Sequence, residues 1–359
     1  MQISSPQLLF REALEAQQRG DDSEAIQKYR ELLKLLPDVV EVRANLGAAL
    51  AHAGRLDEAI SEYRTALKQV PDNAALRLNL ALAYYKKGDC SSAVPELRSL
   101  HTADPSNDRV AVLLGDCYGR LGENKQAIDL LAPLEASEPE NLDLAWALSL
   151  ALIHEGHLRD GMTRAEKVAK GRDSAEAWMV AADSALRINE FERARQDLDG
   201  ALRLNANLPG VYTLEGKVLQ DLGDNEGAAA ALRKAIAMDP NDFEAHLNLG
   251  AVLNTQRDLA GAKVEIDRAL ALKPSSAAAR FEAARLERSE GQLDSAVKDM
   301  ETVVRANPDW LQPHIELAAL YYRVKRPQDG AKERAIVDRL TAKQQQQDLR
   351  SLSAPPPSR

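Results

Sequence analysis

The sequence predicts an all-α chain, a solenoid of about ten helical hairpins, and two observations predict it. The first is local. Apolar and small residues recur at helical spacing, and a glycine interrupts the run at regular places. In the stretch Val40 to Pro71, Leu46, Gly47 and Leu50 fall on one helical face, Ala59, Tyr63 and Ala66 form a second run, and Gly54 separates the two. The second observation is periodic: Leu46, Leu80, Leu114 and Leu148 lie 34 residues apart. A fixed period of that size marks an array in which each hairpin buries its apolar face only against its neighbours.

These residues resemble the tetratricopeptide repeat. Leu46-Gly47, Leu50, Ala59, Tyr63 and Pro71 occupy the family's L-G, Y, A, F and P places, and Arg43 stands where its opening Trp would be. About ten copies follow in phase. The resemblance implies a right-handed α-solenoid superhelix, with the first helix of each hairpin lining a concave face that takes extended peptides or helices.

Taken in order, the repeats fall near 6–39, 40–73, 74–107, 108–141, 142–174, 175–208, 209–242, 243–276, 277–310 and 311–349, with a disordered Pro- and Ser-rich tail over 350–359. Ser5-Pro6 opens the first hairpin, a serine cap followed by a proline whose missing N–H costs nothing at the first helical position. Gly20, Ala25, Tyr29 and Pro37 complete that repeat. Pro71, Pro105 and Pro139 then mark successive repeat ends. The fifth copy departs from the pattern, with Gly161 where its second helix should carry alanine. A weaker helix is expected there, since glycine in a helix costs about 0.5–1 kcal/mol relative to alanine. Trp178 arrives one residue early, so the turn Lys170-Gly171-Arg172-Asp173-Ser174 has lost a residue, Gly171 ending one helix and Asp173 or Ser174 capping the next. Repeat six has Asn189 at the mid-hairpin glycine place. Repeats seven to nine are regular again, and repeat ten carries Pro327 and Gly330 in its second helix. That helix runs into a polar extension, Lys332 to Leu349, of the kind that keeps a solenoid end soluble.

Composition narrows the function classes. The chain is 45% hydrophobic but only 4% aromatic, so small residues do the packing. Its net charge of −9 argues against a general nucleic-acid or anionic-membrane surface. No apolar run is long enough to span a membrane, and Met1 to Arg11 has no signal-peptide pattern, so a soluble, cytoplasmic protein is expected; an exported chain with its leader removed reads the same. Cys90 and Cys117 form no disulfide framework and are read as two small, partly buried thiols.

No catalytic signature is present. His154-Glu155-Gly156-His157 places its histidines three apart across a hairpin glycine, where a zinc protease needs them four apart on one helical face. Ser295 and Lys298 match S-x-x-K without any supporting motif. No enzyme activity, cofactor or metal is expected.

Projected onto the family's concave face, the first helices of repeats three to six carry an apolar track: Leu78, Leu82, Tyr85, Val112, Leu113, Trp146, Leu150, Ile153, Met179 and Leu186. Apolar patches of this kind mark interaction sites or belong to the core. Beside them runs a basic column, His52, Lys86, Arg120, His154 and Arg187, at one place in five successive repeats. Cations near a helix C-terminus are favoured by about 0.3–1 kcal/mol, which would explain the column without a ligand. The functional reading is a ladder for acidic side chains or a carboxylate. Asn45, Asn79 and Asn248 resemble fragments of the asparagine ladder with which some family members grip a peptide backbone, interrupted here by Leu113, Ala147, Val180 and Leu214. The family's Lys/Asn/Arg carboxylate clamp is not matched, so chaperone C-termini are not expected ligands.

The function expected from sequence is therefore a non-catalytic scaffold or adaptor, a monomer or weak homo-oligomer, that binds a protein or an extended, acidic peptide in its groove. The alternatives are a regulatory or targeting subunit of a separate enzyme, and a solenoid for a lipid or sugar polymer.

Overall fold

The computed structural model describes residues 5–353, with side chains described as far as residue 346. Among these residues there are twenty α-helices and no strand. They form two compact units that divide after Ile188.

The first unit holds α1 (Pro6–Gln18), α2 (Asp22–Leu35), α3 (Val40–His52), α4 (Leu56–Gln69), α5 (Ala74–Lys87), α6 (Cys90–Ala103), α7 (Asp108–Arg120), α8 (Asn124–Leu131), α9 (Leu142–Glu155), α10 (Leu158–Arg172) and α11 (Ala175–Arg187). Consecutive helices pack as antiparallel hairpins and each hairpin packs on the next. Their starts are written in polar caps. Ser5, Asn73, Asn107 and Ser174 each accept a hydrogen bond from a backbone N–H of the following turn. Such caps are worth roughly 1 kcal/mol each. Pro133 cannot donate to the helical ladder, and α8 accordingly gives way to a 3-10 turn over Ala132–Ala136.

The second unit holds α12 (Phe191–Leu204), α13 (Val211–Asp221), α14 (Asn225–Met238), α15 (Phe243–Thr255), α16 (Leu259–Leu272), α17 (Ala277–Ser289), α18 (Leu293–Ala306), α19 (Leu311–Arg323) and α20 (Pro327–Ser353). Here α13 to α20 repeat the hairpin pattern. The expected polar extension is one with α20, which continues to Ser353; the tail expected from residue 350 otherwise lies outside the described residues.

Small residues set the spacing of helices in both units. Gly47 lies under the ring of Tyr63, Gly115 under Leu131, Gly216 under Leu232 and Gly250 under Ile266, the same offset of 16 residues each time. A Cβ at Gly115 would stand 2.6 Å from Leu131. Ala59, Ala127 and Ala228, from the second-helix alanine place, are fully buried.

Arg43 replaces the bulk of the missing Trp by hydrogen bonds. Its guanidinium donates to Glu62 at 2.7 Å and to the carbonyl of Pro37 at 2.9 Å, joining both helices of its hairpin to the preceding loop. Arg77 does the same with Glu96 and Pro71, at 2.6 and 2.7 Å.

The fifth repeat differs from its sequence reading. Gly161 is buried where α10 crosses α9: a Cβ there would stand 2.5 Å from Ile153 Cγ1 and 2.8 Å from the Ser149 carbonyl oxygen. The Ser149 hydroxyl donates to the Gly161 carbonyl at 2.7 Å. The glycine therefore permits a close crossing that alanine would obstruct. Nor does Gly171 end α10; it lies inside that helix against Leu142, and the chain leaves the helix through Asp173 at φ +48°.

Candidate functional site

The first helices of repeats three, four and five enclose a cleft of about 460 Å³ in the first unit. Its floor is apolar: Leu82 from α5, Val112 and Leu113 from α7, and Trp146 and Ala147 from α9. Trp146 is half-buried, its other side resting on the cluster of Ala145, Val168 and Ala169.

Tyr85 forms one wall, but its hydroxyl is committed. It donates to Asp116 at 2.7 Å and accepts from Arg120 at 3.0 Å. Arg120 in turn pairs with Asp116 at 2.8 Å and lies 4.7 Å from the centre of the Tyr85 ring. Burial and the Asp116 carboxylate push the Tyr85 phenol well above its ordinary range, so it remains a donor.

The rim is acidic. Asp108, Asp116, Glu138 and Asp143 line the cleft, against a single cationic lining residue, Arg109. Asp116 is matched by Arg120, and Asp143 pairs with Arg172 at 2.7 Å. Asp108 and Glu138 instead face each other. The hydrogen bond that Asp108 donates to Glu138 holds the Asp108 carboxyl above its usual range, while the Asn141 amide, donating at 2.5 Å, holds Glu138 below its own. Asp108 is thus the member of the pair that takes up the proton.

The apolar and asparagine residues expected at the site divide into three groups. Leu82, Tyr85 and Trp146, with Val112 and Leu113, meet in the cleft. Leu150 and Met179 are half-buried on α9 and α11 without lining it, and Ile153 is core, 7% exposed against the α9–α10 crossing. Asn45 and Asn79 are half-buried on α3 and α5, and Asn248, in the second unit, turns its amide back to the Glu244 carbonyl at 2.8 Å. That bond uses the donor a peptide ladder would need.

The basic column is a set of positions more than a field of charge. His52 lies 2.6 Å from Asp22, Arg120 pairs with Asp116, and Arg187 stands 3.9 Å from Asp183. Lys86 and His154 are exposed. The inference of an acidic ligand rested on this column, and it does not fit the cleft, whose lining carries four carboxylates. Sequence reasoning missed Asp108, Glu138 and Asp143 because it followed the middle of each first helix, whereas these residues sit at hairpin junctions. Acidic residues in a first helical turn, as Asp108 and Asp143 are, read as favourable dipole partners and give no other signal.

Cys90 and Cys117 are buried free thiols, more enclosed than expected. Among the described residues no three His, Cys, Asp or Glu side chains gather as a metal site would need, and no helix is long and apolar enough to cross a membrane.

Comparison with known proteins agrees with the repeat pattern. One model described as TPR repeat matches residues 50–88 and 216–256, and two described as Tetratricopeptide repeat match 86–153 and 265–309. No curated protein matches the chain. Among solved structures it is similar to the APC/C hetero-tetramer Cut9-Hcn1, at 15% identity and a TM-score of 0.55 over 95% of this chain and 88% of the other. It is similar also to a tetratricopeptide repeat protein from Parabacteroides merdae, at 18% identity and a TM-score of 0.52 over 69% and 98%. These likenesses concern the fold alone. With repeat matches over more than half its length and hairpins of the same period in both units, the chain belongs to the tetratricopeptide repeat family.

Proposed function

We propose that the chain is a non-catalytic interaction scaffold whose first unit binds a segment of a partner protein in the cleft of α5, α7 and α9. One observation carries this reading: an apolar floor ending in Trp146, ringed by carboxylates. Aromatic anchors in desolvated pockets dominate such interfaces, and complementary charge selects the partner. The segment that fits places an aliphatic or aromatic side chain over Val112 and Trp146 and a Lys or Arg beside Asp108 and Glu138. A neutral or acidic segment would leave that carboxylate pair uncompensated.

The experiment is selection of displayed peptides on the full chain, repeated on a Trp146→Ala variant whose helix content is verified. The reading expects enrichment of sequences with a basic residue next to a large apolar one, lost on the variant. Enrichment of acidic sequences, or selection indifferent to Trp146, would overturn it.

A further inference from the structure

The second unit has a cleft of the opposite sign. It encloses about 440 Å³ at the C-terminal ends of α15, α17 and α19, and four guanidiniums line it, those of Arg257, Arg285, Arg288 and Arg323. No carboxylate is among its lining residues, in a chain of net charge −9. Two of the charges are matched from outside the cleft. Arg285 donates to both oxygens of Glu282 at 3.0 Å, and Arg288 pairs with Glu316. Among the described residues Arg257 and Arg323 have no carboxylate partner.

Structural stability does not account for this arrangement. One cation in the last turn complements a helix dipole, which covers Arg288 on α17 and Arg323 on α19. Arg257 is different. It occupies the left-handed turn position at φ +69°, held by Gly54, Gly88, Gly122 and Gly223 in four other repeats and by Asn189 and Lys325 in two more, and a Cβ there is strained by about 1–2 kcal/mol. An independent feature lies beside it. Asn254 lines the same cleft, is 7% exposed, and its Oδ1 has no hydrogen-bond partner. That oxygen is the enclosed atom, so the NH2 of the same amide is the end left available as a donor.

We infer that this cleft binds a phosphoryl dianion. Two unmatched guanidiniums equal the two charges of a phosphomonoester, and planar donor forks match its oxygens in pairs. A carboxylate, with one charge, would leave one guanidinium unmatched. The source is either a phosphorylated side chain of a partner protein or free phosphate. This inference does not depend on the cleft of the first unit and shares no residue with it.

Isothermal titration calorimetry on the full chain tests it, with inorganic phosphate, a short phosphoserine peptide, and the same peptide carrying Ser or Glu. The phosphoserine peptide should bind at least about tenfold tighter than the Glu peptide. The double variant Arg257→Gly with Arg323→Ala should lose about tenfold or more, and since glycine relieves the strained turn its folding should be preserved. Tighter binding of the peptide than of inorganic phosphate identifies a phosphorylated side chain as the source; equal affinity identifies free phosphate. The inference is overturned if neither phosphate probe binds at about 5 mM, or if the double variant, with unchanged circular dichroism, binds as the parent does.

Discussion

His314 and Glu333 meet across the last hairpin, ring Nδ1 to carboxylate at 2.6 Å, while Nε2 of the same ring faces the Pro308 carbonyl at 3.2 Å. His246 stands in the same relation to Glu265 and Pro240. Arg43 and Arg77 make the corresponding pair of bonds in the first unit. In these four repeats the place that opens the family's motif with Trp is thus held by a side chain that presents two ring or guanidinium nitrogens, which stitches both helices to the loop before them.

If that is the role, donor geometry matters more than ring shape. His314→Arg should keep both bonds and leave the thermal midpoint nearly unchanged, since Arg supplies two donors from one planar fork. His314→Leu should leave a carboxylate and a carbonyl unpartnered at a site where the histidine is 3% exposed. The expected loss is about 1–3 kcal/mol of local stability, measured by hydrogen exchange in α19 and α20. Equal exchange in the two variants would show that packing alone holds the hairpin.

Gly161 separates two physical effects by sign. Helix propensity favours Gly161→Ala by about 0.5–1 kcal/mol. The crossing opposes it, because the new Cβ would meet the Ser149 carbonyl, which is backbone and cannot rotate away. Overpacking costs roughly 1–3 kcal/mol, so the crossing should win and exchange in α9 and α10 should speed up. A stabilised variant would restore the reading of Gly161 as a mere helix defect.

That case shows how far the sequence carries. Period and hairpin are legible because Leu, Gly and Ala report short-range spacing, and Pro71 or Pro105 reports a repeat end. Partnerships across a hairpin are not: nothing local to Gly161 announces Ser149, and nothing local to Arg43 announces Glu62. The cleft was half legible for the same reason. Leu82, Tyr85 and Trp146 follow from helical phase, but Asp108 and Glu138 are brought together by a loop, and Ile153 fell in the same phase while packing inward. Charge read without its partners misleads further, as Arg120 beside Asp116 demonstrates.

Within the cleft, Tyr85 and Trp146 should behave differently. Tyr85→Phe removes a hydroxyl whose partners still hold each other, since Arg120 and Asp116 remain 2.8 Å apart. Segment binding should change by no more than about 0.5–1.5 kcal/mol. Trp146→Ala removes the largest apolar surface of the floor and should cost about 2 kcal/mol or more, chiefly through faster dissociation. Surface plasmon resonance with a selected peptide distinguishes them, and equal losses would mean that Tyr85 is an anchor and not a wall.

The carboxylate pair gives the cleft a pH response whose sign follows from its geometry. Between the lowered Glu138 value and the raised Asp108 value, Asp108 holds a proton against the Glu138 carboxylate, and the pair carries one negative charge. As pH rises through the raised Asp108 value, that proton leaves and the pair carries two. A Lys or Arg side chain should therefore bind more tightly with rising pH, in a window above the ordinary aspartate range, and binding below that window should release a proton. Asp108→Asn removes the titration while keeping the shape, so affinity should be lower at neutral pH and flat across the window. Salt should weaken binding to the parent more than to the variant, because fewer charges remain to be screened. A parent affinity that is equally flat with pH, measured by titration of a basic peptide in two buffers of different ionisation enthalpy, would mean that the bound segment keeps its cation away from Asp108 and Glu138.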